Sequence, residues 1–305
     1  MNDVAILSPD APRVPGWVRL VIVSDTHNVD IPTCLFPPGD LLIHAGDHTT
    51  MGLPSELASA AAWLRSLAAR YTHGVVVIAG NHDRPLDGET WLQAAPHSQP
   101  GEPWTPESMA NARLLFDDGC FGDGRQGPMR LLQHSSKEIA ALKFFGSPYV
   151  GFTPRRQAMA HDNPLRCEGF LRDHTRLTEL YADIPAGLDV LITHSPPLGI
   201  LDSSVQYGGV LRERPIAIGS AALYDRLRAM LPADRPRLHI FGHEHDARGV
   251  VCDHEMGTVF VNAAAVNGDQ GVINAGGDYV MKEGFRPVVI DIRVGERGSG
   301  QAPSS

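Results

Sequence analysis

Five stretches of the chain are apolar almost without interruption, and each stops at a polar cluster. Val18-Arg19-Leu20-Val21-Ile22-Val23 ends at Ser24-Asp25-Thr26-His27, and Asp40-Leu41-Leu42-Ile43-His44 ends at Ala45-Gly46-Asp47. Val75-Val76-Val77-Ile78-Ala79 ends at Gly80-Asn81-His82-Asp83, and Asp189-Val190-Leu191-Ile192-Thr193 ends at His194. Arg237-Leu238-His239-Ile240-Phe241 ends at Gly242-His243-Glu244-His245. Runs of this length and β-branched content, without polar alternation, predict strands covered on both faces.

Between them the period changes. Leu57, Ala61, Leu64 and Ala68 recur at helical spacing and predict a helix from Ser55, its N-cap, to about Ala69. Strand, helix and strand at this spacing form a βαβ unit, so the sheet is at least partly parallel. Further helices are expected near Pro106–Arg113, around residues 164–182, and from Ser220 to Leu231. Met129–Leu132 and Ile139–Phe145 read as an antiparallel pair joined across Gln133–Glu138, and Thr258–Asn262 and Pro287–Ile292 as late strands. Residues 1–16, with three prolines, read as a lead-in arm, and 17–294 as one domain with an insertion near 97–127. The Gly-, Ser- and Pro-rich tail at 295–305 is expected to be disordered.

Composition narrows the picture little. With 305 residues, 43% hydrophobic and 20% charged, this is an ordinary globular chain able to bury a substantial core. A net charge of −9 argues against a broad nucleic-acid-binding surface, so no nucleic-acid polymer is expected as partner. Four cysteines without CxxC spacing fit a reducing compartment. No signal peptide or membrane span is read, so the expected location is cytoplasmic, with no membrane partner.

The chemistry lies at the strand ends. In open α/β sheets ligands bind beyond the carboxyl ends of the strands, where these five clusters would meet. Asp, His and Asn suit borderline divalent ions, and the lack of cysteine ligands argues against a structural zinc site. Gly46, Gly80 and Gly242 sit where a strand must turn sharply and the backbone must leave room.

The set Asp25-Thr26-His27, Gly46-Asp47, Gly80-Asn81-His82-Asp83, His194 and Gly242-His243-Glu244-His245 closely resembles the metallophosphoesterase (calcineurin-like phosphoesterase) superfamily over about residues 19–262. Ile43–Asp47, Gly52–Glu56, Gly146–Pro148 and Thr193–Gly199 are similar to the small metallophosphoesterase-domain phosphodiesterases. The resemblance implies an α/β fold, a four-layer αββα sandwich of two mixed β-sheets flanked by helices. It implies one metal held by Asp25, His27, Asp47 and His245, and a second held by Asp47, Asn81, His194 and His243. The expected cofactor is two divalent ions, Mn²⁺ first, with Fe, Zn²⁺, Co²⁺ or Ni²⁺ as alternatives. His82 would approach the phosphoryl or leaving-group oxygen, with Asp83 orienting it.

The implied activity is hydrolysis of small phosphodiesters, cyclic nucleotides or aryl phosphodiesters, by a hydroxide bridging the ions. A phosphomonoesterase or protein phosphatase shares the same core. A catalytically weak binding or scaffold protein is the rival from another class. Arg155, Arg248 and Tyr149 are candidate substrate contacts, although for Arg155, Arg156 and Arg248 a solvated surface arginine is the commoner reading. Tyr149, Phe152 and Tyr207 are candidates to stack on a base. His44, His48 and His239 read as packed, hydrogen-bonded residues, and Glu244 as pointing away from the metals. Oligomeric state is not legible.

Overall fold

A computed structural model describes residues 3–8, 10–88, 106–118, 128–151, 169–207, 210–267 and 279–295. Arg155, Arg156 and Phe152, most of the 97–127 insertion, the side chain of Tyr207 and the tail from 296 lie outside the described residues.

The first sheet is built from β1 (Val4–Leu7), β2 (Trp17–Val23), β3 (Leu41–His44), β4 (Val75–Val77), β5 (Met129–Leu131) and the last strand of the chain, Val288–Arg293. The second starts from β6 (Ser135–Ile139) and β7 (Leu142–Ser147). A short pair follows, β8 (Val150–Gly151) with β9 (Leu171–Arg172), and then β10 (Val190–Thr193). After a hairpin of β11 (Ser203–Tyr207) and β12 (Val210–Ala217) come β13 (Leu238–Phe241), β14 (Gly249–Asp253) and β15 (Thr258–Asn262). A small pair, β16 (Val266–Asn267) and β17 (Val280–Met281), precedes β18, the Val288–Arg293 strand.

Each six-stranded sheet has four parallel strands with antiparallel flanks. The orders are β1-β18-β2-β3-β4-β5 and β14-β15-β13-β10-β7-β6. Side-chain alternation sets the layers. Leu20, Ile22, Leu41, Ile43, Val76 and Ile78 of the first sheet meet Phe144, Val190, Ile192, Leu238, Ile240 and Val261 of the second in one core. Their neighbours Val21, Val23, Leu42 and Val77 face outward under α1 (Pro54–Ala68) and α2 (Pro106–Phe116). On the far side Leu191, Phe241 and Phe260 lie under α3 (His174–Ala182) and α4 (Ala221–Ala229). The result is the four-layer αββα sandwich. Both faces of every central strand are covered, which is why the runs are continuously apolar.

Several expectations are corrected. The arm at 1–16 carries β1, which pairs with β18 in the register Val4↔Ile292 to Leu7↔Val289. Met129–Leu131 and Leu142–Ser147 do not pair with each other. β5 adds parallel to β4, while β6 and β7 form a hairpin in the other sheet. That hairpin turns at Ala140 and Ala141, both at positive φ. Two alanines are poor markers of a turn that favours Asn-Gly, so Ile139–Phe145 looked like one strand. α1 starts at Pro54, and Glu56 rather than Ser55 closes its end, accepting the Leu53 and Met51 backbone N–H at 2.9 Å each. Asp173 and Ser220 cap α3 and α4 through the backbone N–H of Arg176 and Leu223. α2 runs on to Phe116, and α4 stops at Ala229, short of the expected Leu231.

Candidate metal centre

The carboxyl ends of β2, β3 and β4 face those of β10 and β13. Beyond β2 and β3, the backbone N–H groups of Asp25, Thr26, His27 and Asn28 bond the carbonyls of Gly46, Asp47, Asp47 and His48 at 2.9–3.1 Å. This pairing holds Asp25, His27, Asn28 and Asp47 at positive φ, 53°, 43°, 57° and 55°. Non-glycine residues are uncommon in that region, and Asp, Asn and His tolerate it better than most.

Three close groups of ligand atoms result: Asp25-His27-His245, His27-Asp47-His82 and Asp47-His194-His243, each within 4.8 Å. His245 Nε2 is 3.1 Å from Asp25 Oδ1 and 3.3 Å from His27 Nε2. Asp47 Oδ2 lies 3.6 Å from His27 Nε2 and 3.3 Å from His194 Nε2, so it sits between the two ends of the site. Asn81 Oδ1 is 3.0 Å from His194 Nε2. Asp25, His27, Asp47, Asn81 and His194 are buried, as is His245 at 9% exposure; His243 is half-buried. All seven expected ligands therefore converge.

Two glycines make the approach possible. A Cβ on Gly80 would lie 2.2 Å from Asp47 Oδ1, and one on Gly242 would lie 1.9 Å from Asp25 Oδ2. No side chain fits at either position.

The donor set matches a pair of divalent cations. His27 Nδ1 lies 3.0 Å from the Thr49 carbonyl and His194 Nδ1 2.9 Å from that of Ala45, so each Nδ1 carries the proton and donates. In the neutral rings the Nε2 lone pairs then face the Asp47 carboxylate and, for His27, the Nε2 of His245. Such an arrangement repels itself until positive charge enters it, and nitrogen and oxygen donors without thiolate suit borderline ions. The field agrees. Burial lowers the His194 pKa, yet Asp47 and then Asp25 outweigh it and push His194 up to about 10. His27, which burial and the neighbouring His82 and His245 hold well below the usual histidine value, stays neutral and available as a ligand.

The residues around the ligands differ from expectation in two places. Asp83 does not orient His82. Its buried carboxylate accepts from His48 Nδ1 at 2.8 Å, the backbone N–H of His48, Thr49 and Gly80, and the Thr49 hydroxyl. Burial would raise its pKa, but His48 and these donors hold it well below the usual carboxylate range. Asp83 thus clamps the loop that carries Asp47. His82 is oriented instead by the Thr50 carbonyl, 2.6 Å from its Nδ1, while its backbone N–H donates to Asp47 Oδ1 at 2.8 Å. Asp83 is followed directly by a 3-10 segment, Arg84–Leu86. Glu244, expected to point away, is buried with Oε1 3.4 Å from His243 Nε2.

His44, His48 and His239 are buried and partnered by Thr26, Asp83 and Thr193. Arg248 bonds the carbonyls of Ala264 and Arg286 and lies 4.9 Å over the Phe285 ring, with burial lowering its pKa to about 10. Tyr149 packs against His134 and Phe170 under the Arg172 guanidinium. The ring of Tyr279, which no motif flagged, stacks on His27 with centroids 3.8 Å apart and planes 12° from parallel.

Imidazole and carboxylate clusters sharing Asp47, set between the strand ends of an αββα sandwich, define the class of metal-dependent phosphoesterases. The chain belongs to the calcineurin-like phosphoesterase family, whose profile matches residues 18–247. It is 33% identical over 294 residues to metallophosphoesterase domain-containing protein 1 of Homo sapiens, covering 93% of this chain and 73% of that one. The Mus musculus protein of the same name matches with the same figures. UPF0046 protein T07D4.2 of Caenorhabditis elegans is 29% identical over 288 residues, covering 93% of this chain and 62% of its own.

Proposed function

We propose that this protein hydrolyses phosphodiester bonds in small substrates, cyclic nucleotides or aryl phosphodiesters, using two divalent ions of which Mn²⁺ is the first choice. The observation that carries the choice of diester over monoester is the state of Arg248. Arg248, one of the arginines that the sequence offers as a phosphate clamp, is tied to two carbonyls and a phenyl ring. A diester brings one negative charge and a monoester two, so the diester asks less of the protein's own cations. The resemblance to the metallophosphoesterase domain-containing proteins supports phosphoester hydrolysis as the chemistry.

Asp25, His27, Asp47 and His245 would hold one ion, and Asp47, Asn81, His194 and His243 the other. Bound ions supply positive charge to the phosphate oxygens and lower the pKa of the attacking water. The chain's residues do the rest. Carbonyls at Ala45 and Thr49 keep the His194 and His27 rings turned inward. His82, half-buried beside His27 and Asp47, gives a proton to the departing oxygen as the old P–O bond breaks and a new one forms to water. The Thr50 carbonyl fixes the ring for that transfer. His82→Ala is expected to keep its metals, by elemental analysis, and to lose at least about tenfold in kcat.

The protein is proposed to act in the cytoplasm on a small phosphorylated substrate rather than a nucleic-acid polymer. Among the described residues Cys34 and Cys252 are free and exposed, which suits a reducing compartment. No helix among them is long and apolar enough to cross a membrane. The deciding experiment is turnover of bis-p-nitrophenyl phosphate against p-nitrophenyl phosphate after reconstitution with Mn²⁺, then a panel of cyclic nucleotides. Preference for the monoester would overturn the diesterase reading. Full metal content with no turnover of either would favour a binding protein.

A further inference from the structure

Tyr279 comes from a part of the chain far from every ligand motif, yet its ring touches the centre on three sides. It stacks on His27, meets His82 edge-on at 6.2 Å and 87°, and lies 5.8 Å from His245. It is 7% exposed and packs in the same core as Ala265, Val266 and Phe285. Its backbone is equally fixed. The Val280–Met281 strand pairs with Val266–Asn267, Lys282 N–H bonds the Ala265 carbonyl, and Ala265 N–H bonds that of Ser24, next to Asp25. The ring is therefore held by the strand that also holds a ligand loop.

We propose that Tyr279 is a positioning residue of the metal centre, fixing the plane of His27 and its distance from His82, and gripping His27 more tightly with an ion bound than without. This rests on the metal-dependent reading above. The Thr49 carbonyl fixes where His27 Nδ1 points but leaves the ring free to rock about that line. A flat neighbour at 3.8 Å removes the rocking. Coordination to a dication draws electron density out of an imidazole, and the electron-rich face of a phenol attracts an electron-poor ring. A contact that is stronger in the bound state than in the free state adds to affinity by linkage. The T-shaped contact, together with the 4.8 Å edge contact of His27 on His82, sets the ligand and the proton donor relative to each other.

The test is calorimetric titration of the full chain with Mn²⁺, beside Tyr279→Phe and Tyr279→Leu. Phe keeps the flat face, and Leu keeps apolar volume without it. The Leu variant is expected to bind metal about tenfold more weakly, the scale seen when a group supporting a ligand is removed. Its metal-induced rise in Tm should shrink, and at saturating metal kcat should fall with KM unchanged. Phe should stay within about twofold in each measure, and a loss in Leu that Phe does not share is what a merely space-filling role would not produce. Wild-type affinity in the Leu variant would overturn the proposal, and so would a Phe variant as impaired as Leu. A second measurement needs no variant. In the Zn²⁺-loaded wild-type protein the His27 ring protons should lie upfield of those of His245, and unshifted His27 resonances would equally refute the stack. Metal titration and these spectra involve no substrate, so they stand or fall separately from the choice between diester and monoester.

Discussion

The two sheets contribute to the centre in different ways. The loops after β2, β3 and β4 are knitted to each other: four backbone hydrogen bonds join them, and the Asp83 carboxylate gathers five donors beneath them. Asp25, His27 and Asp47 all sit at positive φ there. The second sheet's two ligand loops are tied to each other by the Gly242 N–H, which donates to the His194 carbonyl at 3.2 Å, and the Asn262 amide donates to the Glu244 carbonyl at 2.8 Å. His194 is oriented by a carbonyl of the first sheet, Ala45, and the Gly242–His245 turn is held by the Asp25 carboxylate, which accepts the His243 N–H at 3.0 Å. Only His243 among its ligands has positive φ, 68°. The first sheet's half holds three ligands at positive φ within a dense set of bonds, and the second sheet's half meets it at the seam between Asp25 and His243.

That contrast can be broken at its seam. Gly242→Ala places a carbon on Asp25 Oδ2 and Ser24 Oγ, where the sheets meet, and is expected to abolish turnover while leaving the far-UV circular dichroism spectrum intact. Asp47→Asn removes the charge that both clusters share. Both ions should be lost together, with metal content falling well below two per chain and activity by about a hundredfold or more. A variant retaining full metal and activity would show that Asp47 does not bridge.

Asp83→Asn tests the first sheet's half alone. Leaving a buried hydrogen-bond donor without its acceptor typically costs about 1–3 kcal/mol. Urea unfolding should show a loss of that order, and hydrogen exchange should quicken at His48 and Thr49 but not at His243. Equal quickening at both would mean that the halves are not separable. Arg248→Ala should matter least. It forfeits bonds to the Ala264 and Arg286 carbonyls, about 1–2 kcal/mol of stability, with KM for bis-p-nitrophenyl phosphate changed by less than about threefold.

The same contrast governs what could be read from sequence. Each ligand motif is local, a strand followed by a turn with the right donors; singly weak, the five in order carry the family resemblance that implies Asp25, His27, Asp47, Asn81, His194, His243 and His245 as ligands. The layers follow from the uninterrupted apolar runs. What supports the ligands is tertiary. Nothing in Gly80-Asn81-His82-Asp83 tells which of two adjacent side chains faces the centre and which turns back to His48. Tyr279 lies in a short, undistinguished segment, and its stack on His27 exists only after the β16–β17 pair forms. The division of Met129–Ser147 between two sheets was hidden for a similar reason, since positive φ at two alanines is imposed by the packing rather than announced by the residues.

The position of β18 carries a consequence for how the protein is made. This last strand lies between β1 and β2, which are close in sequence but never paired with each other. During translation, β2 waits with one edge open until Val288–Arg293 has left the ribosome, long after every ligand has been synthesised. A nascent chain arrested before Val288 exposes that edge and the apolar faces of β1 and β2, a template for pairing with other chains. Folding should thus depend on chaperones until Val288–Arg293 has emerged, and a chain cut before Val288 should aggregate rather than yield a weakened enzyme.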